Sequence, residues 1–197
     1  MAPGDPRVRR RLPTTQPELF TERCWLRRFS SADADALVEI ADDPEVARFL
    51  LHLPHPYPRE FAVEWLAAVA DEWVSGGSPT WAIERRAGRA LMGTVWLRWA
   101  PRHDRAELGF WLGRRFWGHG YAREAAAAAL DFGFDVLRTE RVYAQHLDGN
   151  QRSAGVLTGL GLRFEGIRRR HIKRAGVHRD LHGYGLLRDE RAPRAAP

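Results

Sequence analysis

A change of hydrophobic period at Thr80 is the feature that most constrains how this chain folds. Before Thr80, apolar residues recur at helical spacing in 32–40 and 59–75. After it they alternate with polar residues, and short turns divide the alternating part into three strands, at 81–85, 91–99 and 105–112. Three consecutive strands with short turns predict a sheet rather than a helical bundle.

The second half of the chain alternates between helices and strands. The pattern predicts a helix over 118–137, a strand over 141–147, a helix over 150–160 and a hairpin that turns near Gly176. With a short strand at 24–29, the order βαα(α)βββαβαββ predicts an α+β fold with a mixed sheet, not a doubly wound parallel sheet.

The length and the two ends of the chain predict one domain with two tails. The 197 residues fit one domain, and they contain no internal repeat and no linker. Residues 1–20 hold four prolines and four arginines with little apolar periodicity, so we expect a flexible tail or a loosely docked arm. We expect the domain to span 21–190 and a C-terminal tail to span 191–197.

The net charge of +6 does not by itself indicate a nucleic-acid-binding protein. Residues 1–17 carry +3 and residues 188–197 carry +1, which leaves only +2 for the body of the chain. No stretch reaches the ~18 to 20 consecutive apolar residues that a membrane span needs, and the basic first residues lack the apolar core of a secretory signal. Cys24, the one cysteine, cannot form an intramolecular disulfide. We expect a cytoplasmic protein without a membrane partner.

A loop between a strand and a helix carries the chemistry. This glycine loop, residues 115–120, contains Arg115, Gly118 and Gly120, and the helix that follows is expected to start at Gly118 or shortly after. The first turn of a helix has unpaired N–H groups and a partial positive charge, and glycine lets a phosphate approach the backbone. Arg115 and Arg123 would add charge-assisted contacts. The loop is a candidate anion site, although its glycines also fit a plain strand-to-helix turn.

Two familiar phosphate-binding loops are excluded here. A Walker A loop needs Gly-Lys-Ser/Thr, and the only lysine of the chain is Lys173. A dinucleotide fingerprint needs a third small residue at the position that Arg123 occupies.

A second motif, at Asn150 and Ser153, stands where a strand leads into a helix. Taken with the glycine loop and the order of elements, it resembles the GNAT acyl-CoA N-acyltransferases over roughly residues 18–190. Within that family the chain looks most like the Rim-type branch, whose known members acetylate N-terminal amines of ribosomal proteins. Residues 158–162 depart from the family's usual polar residue followed by Leu-Gly-Phe, which affects the helix end more than the chemistry.

The resemblance implies a fold, a co-substrate and a set of binding residues. The fold is α+β, a GNAT-like mixed, mostly antiparallel sheet with a splayed central strand pair and helices on both faces. Acetyl-CoA would lay its pyrophosphate on the glycine loop and its pantetheine arm along Trp111 and Leu112, and no metal is expected. The residues expected to bind it are Trp111, Leu112, Arg115, Gly118, His119, Gly120, Tyr121, Ala122, Arg123, Asn150 and Ser153.

Glu107 is the candidate catalytic base. An α-amino group has a pKa near 8, so about a tenth of it is free base at neutral pH, and a carboxylate acting through water suffices. Strand alternation puts Glu107 on the same face as Gly109 and Trp111. The alternative is a carboxylate at a strand end, paired with Arg105 or Arg98.

Ser153 is the candidate for assisting the leaving thiolate, by a hydrogen bond or a proton. Its alternative role is that of a first-turn serine that satisfies backbone groups. Asn150 fits a helix N-cap, a coenzyme contact, or both. His146, at the end of the preceding strand, is a reserve base.

The resulting prediction is direct transfer of an acetyl group to a primary amine. A protein N-terminus, an amino acid, a polyamine and an aminoglycoside stay open as acceptors, as does a longer acyl group. The alternative is a non-catalytic acyl-CoA-sensing or RNA- or ribosome-associated module on the same fold. We expect the proline-rich loop 52–58 to set the choice of acceptor. Expected partners are a ribosomal or other protein substrate and, as in relatives, a second copy in a homodimer.

Overall fold

The computed structural model describes residues 13–51, 53–76, 78–174 and 176–191. Within them one sheet contains β1 (Leu19–Phe20), β2 (Cys24–Arg27), β3 (Thr80–Arg85), β4 (Leu91–Ala100), β5 (Arg105–Leu112), β6 (Arg141–Leu147), β7 (Arg163–Arg174) and β8 (Val177–Leu187). The α-helices are α1 (Ala34–Ala41), α2 (Pro44–Ala47), α3 (Arg59–Gly76), α4 (Tyr121–Asp135) and α5 (Gln151–Gly159). No helix in these ranges is both long and apolar enough to cross a membrane.

The strands lie in the order β1-β2-β3-β4-β5-β6-β8-β7. Neighbours are antiparallel except β5 and β6, which run parallel. The α+β prediction of a mixed, mostly antiparallel sheet is therefore confirmed. Pairing between β5 and β6 covers only 105–107 against 141–143, and beyond it the two strands separate. This separation is the splay in the centre of the sheet.

Helices cover both faces of the sheet, and strand alternation decides which residues meet them. Leu97 and Val142 face α4, where a Cβ added to Gly133 would lie 3.4 Å from each side chain. The next residue along β4, Arg98, points to the other face and pairs with Glu72 of α3 at 2.7 Å. Fully buried side chains on the α4 face include Leu97, Val142 and Trp81, whose ring meets Phe132 of α4 edge to face.

The glycine loop delays the start of α4 relative to the sequence-based expectation. The helix was expected over 118–137 and instead spans Tyr121–Asp135. Gly118 and Gly120 both have a φ of +80°, in the left-handed region that a right-handed helix cannot include.

Part of the predicted N-terminal tail is held against the sheet. β1 pairs with β2, the Gln16 amide donates to Thr80 O at 3.0 Å, and the Trp81 indole donates to Pro17 O at 2.7 Å. Residues 13–20 thus correspond to the docked arm, and not to the flexible tail, of the two alternatives expected for 1–20. At the other end, Arg191 pairs with Asp131 and Asp135 of α4, each at 2.6 Å. Residues 1–12 and 192–197 lie outside the described residues.

Candidate active site

Backbone polar groups of β5 face the gap that opens where β6 leaves it. The Gly113 N–H donates to Met92 O at 2.9 Å, and the register of β4 with β5 continues this pairing along the strand. Since backbone groups alternate in direction along a strand, those of Trp111 face β4, and those of Phe110 and Leu112 face the gap. Of the two residues whose backbone was expected to contact the pantetheine arm, Leu112 faces the gap and Trp111 faces β4.

The loop before α4 presents free N–H groups to the same region. The Glu124 N–H donates to Gly120 O at 3.1 Å, so the N–H groups of Tyr121, Ala122 and Arg123 have no acceptor within the helix. A Cβ on Gly118 would meet nothing within 4 Å, which leaves the loop surface open. The loop and first turn therefore present free N–H groups of the kind that an anion binds at a helix N-terminus.

Hydrogen bonds from the turn before β2, which the sequence analysis did not predict, hold this loop in place. Arg23, in the turn before β2, donates to the carboxylate of Glu124 at 2.7 Å and to His119 O at 2.9 Å. The Thr21 hydroxyl donates to the same carboxylate at 2.5 Å. Burial alone would raise the pKa of Glu124, but these hydrogen bonds outweigh it and lower the pKa below its ordinary value. Nothing in the local sequence around Arg23 indicates that it reaches the glycine loop.

A cleft of about 360 Å³ lies between the glycine loop and the start of α5. We call it the glycine-loop cleft. The predicted residues that line it are Trp111, Leu112, Gly118, Gly120, Tyr121, Ala122, Arg123, Asn150 and Ser153. Arg115 and His119 are not among the lining residues. Arg115 instead forms an ion pair with Glu39 of α1, and the His119 carbonyl accepts from Arg23. Arg152, unmentioned in the sequence analysis, lines it and lies over the Trp117 ring at 4.9 Å.

A second cavity, of about 420 Å³, lies on the other side of the splay. We call it the Glu107 cavity. Glu107 lines it, together with side chains from α1, α3, β4 and β6. Residues that line both cavities are Phe49, Leu50, Phe110, Trp111, Asn150 and Ser153. The two spaces therefore meet at the splay, where the free groups of β5 lie.

The Glu107 carboxylate has hydrogen bonds but no ion pair among the described residues. The Gln145 amide donates to one oxygen at 2.9 Å, and the Tyr143 hydroxyl lies 3.5 Å from the other. Arg98, an alternative partner suggested by the sequence, instead pairs with Glu72. Arg105, the other alternative, lies over the Tyr143 ring at 5.5 Å. Glu107 is thus available to accept a proton from a bound group.

Ser153 and Asn150 stand where the two cavities meet. The Asn150 side chain caps α5 by accepting from the Ser153 N–H at 3.2 Å. The Ser153 hydroxyl makes no hydrogen bond within the described part of the chain, so it is free to face a group in the cleft.

His146 is less suited than Glu107 to act as a base. It is buried, its Nδ1 lies 2.8 Å from Leu147 O, and its Nε2 lies 3.4 Å from the Tyr184 hydroxyl. Burial lowers the pKa of His146, so its ring is neutral at neutral pH. His146 lines the Glu107 cavity, but each of its ring nitrogens already has a protein partner.

The proline-rich loop contributes part of the wall of the Glu107 cavity. Leu53 and Tyr57 line it, and the Tyr57 N–H donates to the Asp42 carboxylate at 2.9 Å. Arg174, near the end of β7, donates to Ala47 O at 2.5 Å and to Leu51 O at 3.3 Å. The β7–β8 hairpin thus reaches across to the N-terminal helices. His52 lies outside the described residues.

Comparison with known proteins gives a consistent result. Residues 23–163 match the family model described as an acetyltransferase (GNAT) domain. The chain is 31% identical over 175 residues to the uncharacterized N-acetyltransferase p20 of Bacillus licheniformis. The aligned region covers 88% of this chain and 98% of the relative.

Solved structures share the fold. The microcin C7 self-immunity acetyltransferase MccE, in complex with acetyl-CoA and AMP, has a TM-score of 0.76 at 16% identity and covers 85% of this chain and 93% of its own. The ribosomal-protein-S5-alanine acetyltransferase from Vibrio fischeri has a TM-score of 0.74 at 20% identity and covers 90% of this chain and 100% of its own. At these identities the likeness is one of fold.

Proposed function

The chain belongs to the GNAT acetyltransferase family and is an acyltransferase, and from that premise we propose that it transfers the acetyl group of acetyl-CoA directly to a primary amine. The coenzyme would occupy the glycine-loop cleft and the amine the Glu107 cavity. The observation that carries this proposal is that the two cavities meet at Phe110, Trp111, Asn150 and Ser153. Ribosomal proteins as acceptors, a homodimer and a cytoplasmic location stay predictions from the sequence.

The residues of the cleft fit a coenzyme that ends in a pyrophosphate. Three free N–H groups at the start of α4 suit its negative charge, and Gly118 leaves open the space that a Cβ would fill. Arg123 and Arg152 supply positive charge at the rim. The free N–H groups of Phe110 and Leu112 suit an amide-containing arm and the acetyl carbonyl oxygen.

When bound, acetyl-CoA supplies an activated acetyl group. The amine nitrogen forms a bond to the carbonyl carbon, the carbon–sulfur bond breaks, and the products are an amide and a thiol. The proton of the ammonium form passes to Glu107, directly or through water, and then to solvent. The second proton lost by the nitrogen ends on the sulfur, and the Ser153 hydroxyl is in place to donate a hydrogen bond to that sulfur.

A covalent acyl-cysteine intermediate is not part of this proposal. Cys24 is fully buried in β2, and burial raises the pKa of its thiol to about 11. A protonated, buried thiol is a poor nucleophile.

A calorimetric titration with acetyl-CoA tests the assignment of the cleft. Gly120→Asp adds a carboxylate and a side chain where φ is +80°, and we expect it to weaken binding by about tenfold or more. Gly176→Asp is the matched control, since Gly176 has the same φ of +80° in the β7–β8 turn.

Equal weakening in both variants, or no binding by folded wild-type protein, would contradict the assignment. Binding without turnover of any amine would instead favour an acyl-CoA-sensing role.

A further inference from the structure

We propose that the Glu107 cavity takes a primary amine attached to an uncharged aromatic or branched aliphatic body, with the amine held between the carboxylate of Glu107 and the side-chain oxygen of Gln145. This inference rests on the proposed function and narrows the acceptor classes that the sequence left open.

The lining of the cavity suits an apolar body. Aromatic side chains that are only half-buried by the protein face it, among them Phe49, Phe61, Trp65, Trp96 and Trp111. A cavity of 150 Å³ binds benzene, so about 420 Å³ accommodates a ring and a short chain. Removing such a body from water is the main gain in binding free energy that this wall offers.

Charge on the wall is confined to one end. Arg98 is neutralised by Glu72, and Thr94 donates to Trp81 O at 2.9 Å, so these polar groups already have partners. Glu107 is the remaining charged side chain of the described lining, and it has no ion pair. A single positive amine is therefore matched at one end and an uncharged body along the rest.

Gln145 provides a second contact for the amine. Its Nε2 donates to Glu107, and its Oε1 is buried without a hydrogen-bond partner among the described residues. Because an unpaired buried acceptor costs free energy, an incoming N–H donor at this point is favoured. An amine has N–H groups for both oxygens, and the proton passed to Glu107 leaves a lone pair for attack.

The Trp96 side chain forms the wall of the Glu107 cavity between Glu107 and Trp111. A Cβ on Gly109, its partner across the strands, would overlap the Trp96 ring, so the indole lies directly on the β5 backbone. An aromatic face this close to the carboxylate suits both the carbon chain next to an amine and the ammonium itself.

Three of the open acceptor classes fit this cavity poorly. A free amino acid would bring its own carboxylate close to Glu107, which repels it. A polyamine or an aminoglycoside would carry further positive charges onto the apolar wall, where nothing replaces their lost hydration.

The test uses four amines: phenethylamine; phenylalaninamide, which adds an uncharged amide; phenylalanine, which adds a carboxylate; and putrescine, which has a second amine in place of the ring. Their binding to the protein with coenzyme A present is measured by calorimetry, and their kcat/KM is measured with acetyl-CoA. We expect phenethylamine and phenylalaninamide to exceed phenylalanine and putrescine by about tenfold or more in both measurements. Preference for phenylalanine or putrescine, or no binding of any of the four by protein that binds acetyl-CoA, would overturn the inference alone. Failure to bind acetyl-CoA would instead overturn the proposed function.

A variant pair tests the contact with Gln145. Gln145→Leu should raise KM for phenethylamine by about ten- to a hundredfold while the affinity for acetyl-CoA stays unchanged, which also shows that the variant is folded. Gln151→Leu is the control, because Gln151 is exposed at the start of α5 and lines neither cavity. An unchanged KM in Gln145→Leu, or the same rise in Gln151→Leu, would overturn the contact.

Discussion

At Gly109 the absence of a side chain is a requirement of the packing, because the Trp96 indole crosses β5 at this point. A methyl group here has no space unless the indole moves. The shape of the Glu107 cavity thus depends on a residue that contributes no side chain to it.

Gly109→Ala should lower the free energy of unfolding by about 1–3 kcal/mol, the usual cost of overpacking. Gly155→Ala is its control, because a Cβ at Gly155 in α5 would meet nothing within 4 Å. A helical Gly→Ala change in open space stabilises by about 0.4–1 kcal/mol. Urea unfolding of both variants checks the contrast, and a neutral Gly109→Ala would refute the packing described at Trp96.

The sequence identified some residues of the site and missed others for physical reasons. Glu107 and Ser153 follow from strand alternation and from a family motif, both of which are local. Gln145 has no distinctive local pattern, because its importance comes from the carboxylate on a neighbouring strand. Arg115 was expected to bind the coenzyme, but spacing does not reveal that Glu39 of α1 pairs with it.

At the level of elements, the turn before β2 is fastened to the first turn of α4. Arg23 and Thr21 both contact Glu124, and Arg23 also lies over the Tyr121 ring at 4.8 Å. The contact with Glu124 fixes the glycine loop through residues that do not themselves line the cleft. Arg23 and Glu124 are 101 residues apart in sequence. The Glu124 carboxylate therefore joins two elements that are distant along the chain.

Glu124→Gln should lower the free energy of unfolding at neutral pH by about 1–2 kcal/mol, a value reduced for the partial exposure of Arg23. The pKa of Glu124 is lowered in the folded state, so its contribution is present above the unfolded pKa, near 4.3, and is lost as pH falls through the folded value. The gap between wild type and variant should therefore narrow on acidification. Urea unfolding at neutral and acidic pH measures it, and a gap that widens at low pH would contradict the sign.

The elements themselves were largely predictable. Burial alternates in the first half of β5, whereas β3 and most of β4 are buried on both faces. β6 begins and ends where the pattern does, at Arg141 and Leu147. The two-residue β1 was not predicted, because so short a strand depends on its pairing with β2 rather than on its own sequence.

At the scale of the whole molecule, the proposed function depends on the separation of two central strands of the sheet. β5 and β6 pair for only three residues each, and the gap that follows joins the two cavities. Periodicity predicted the strands on either side of the gap. The gap itself was expected only from the family resemblance, since strand separation depends on contacts among α5, β6 and the glycine loop that are distant in sequence.

The most direct test of the account compares kcat in wild type and Glu107→Gln, with whichever of the four amines the wild type acetylates fastest. We expect kcat to fall by about a hundredfold at pH 7, and the deficit to shrink as pH rises toward the pKa of the amine and free base becomes abundant. Glu64→Gln, an exposed carboxylate on α3, is the matched control and should be unchanged. Acetyl-CoA affinity should be equal in all three proteins. Equal kcat in wild type and Glu107→Gln across this pH range would contradict the role assigned to Glu107.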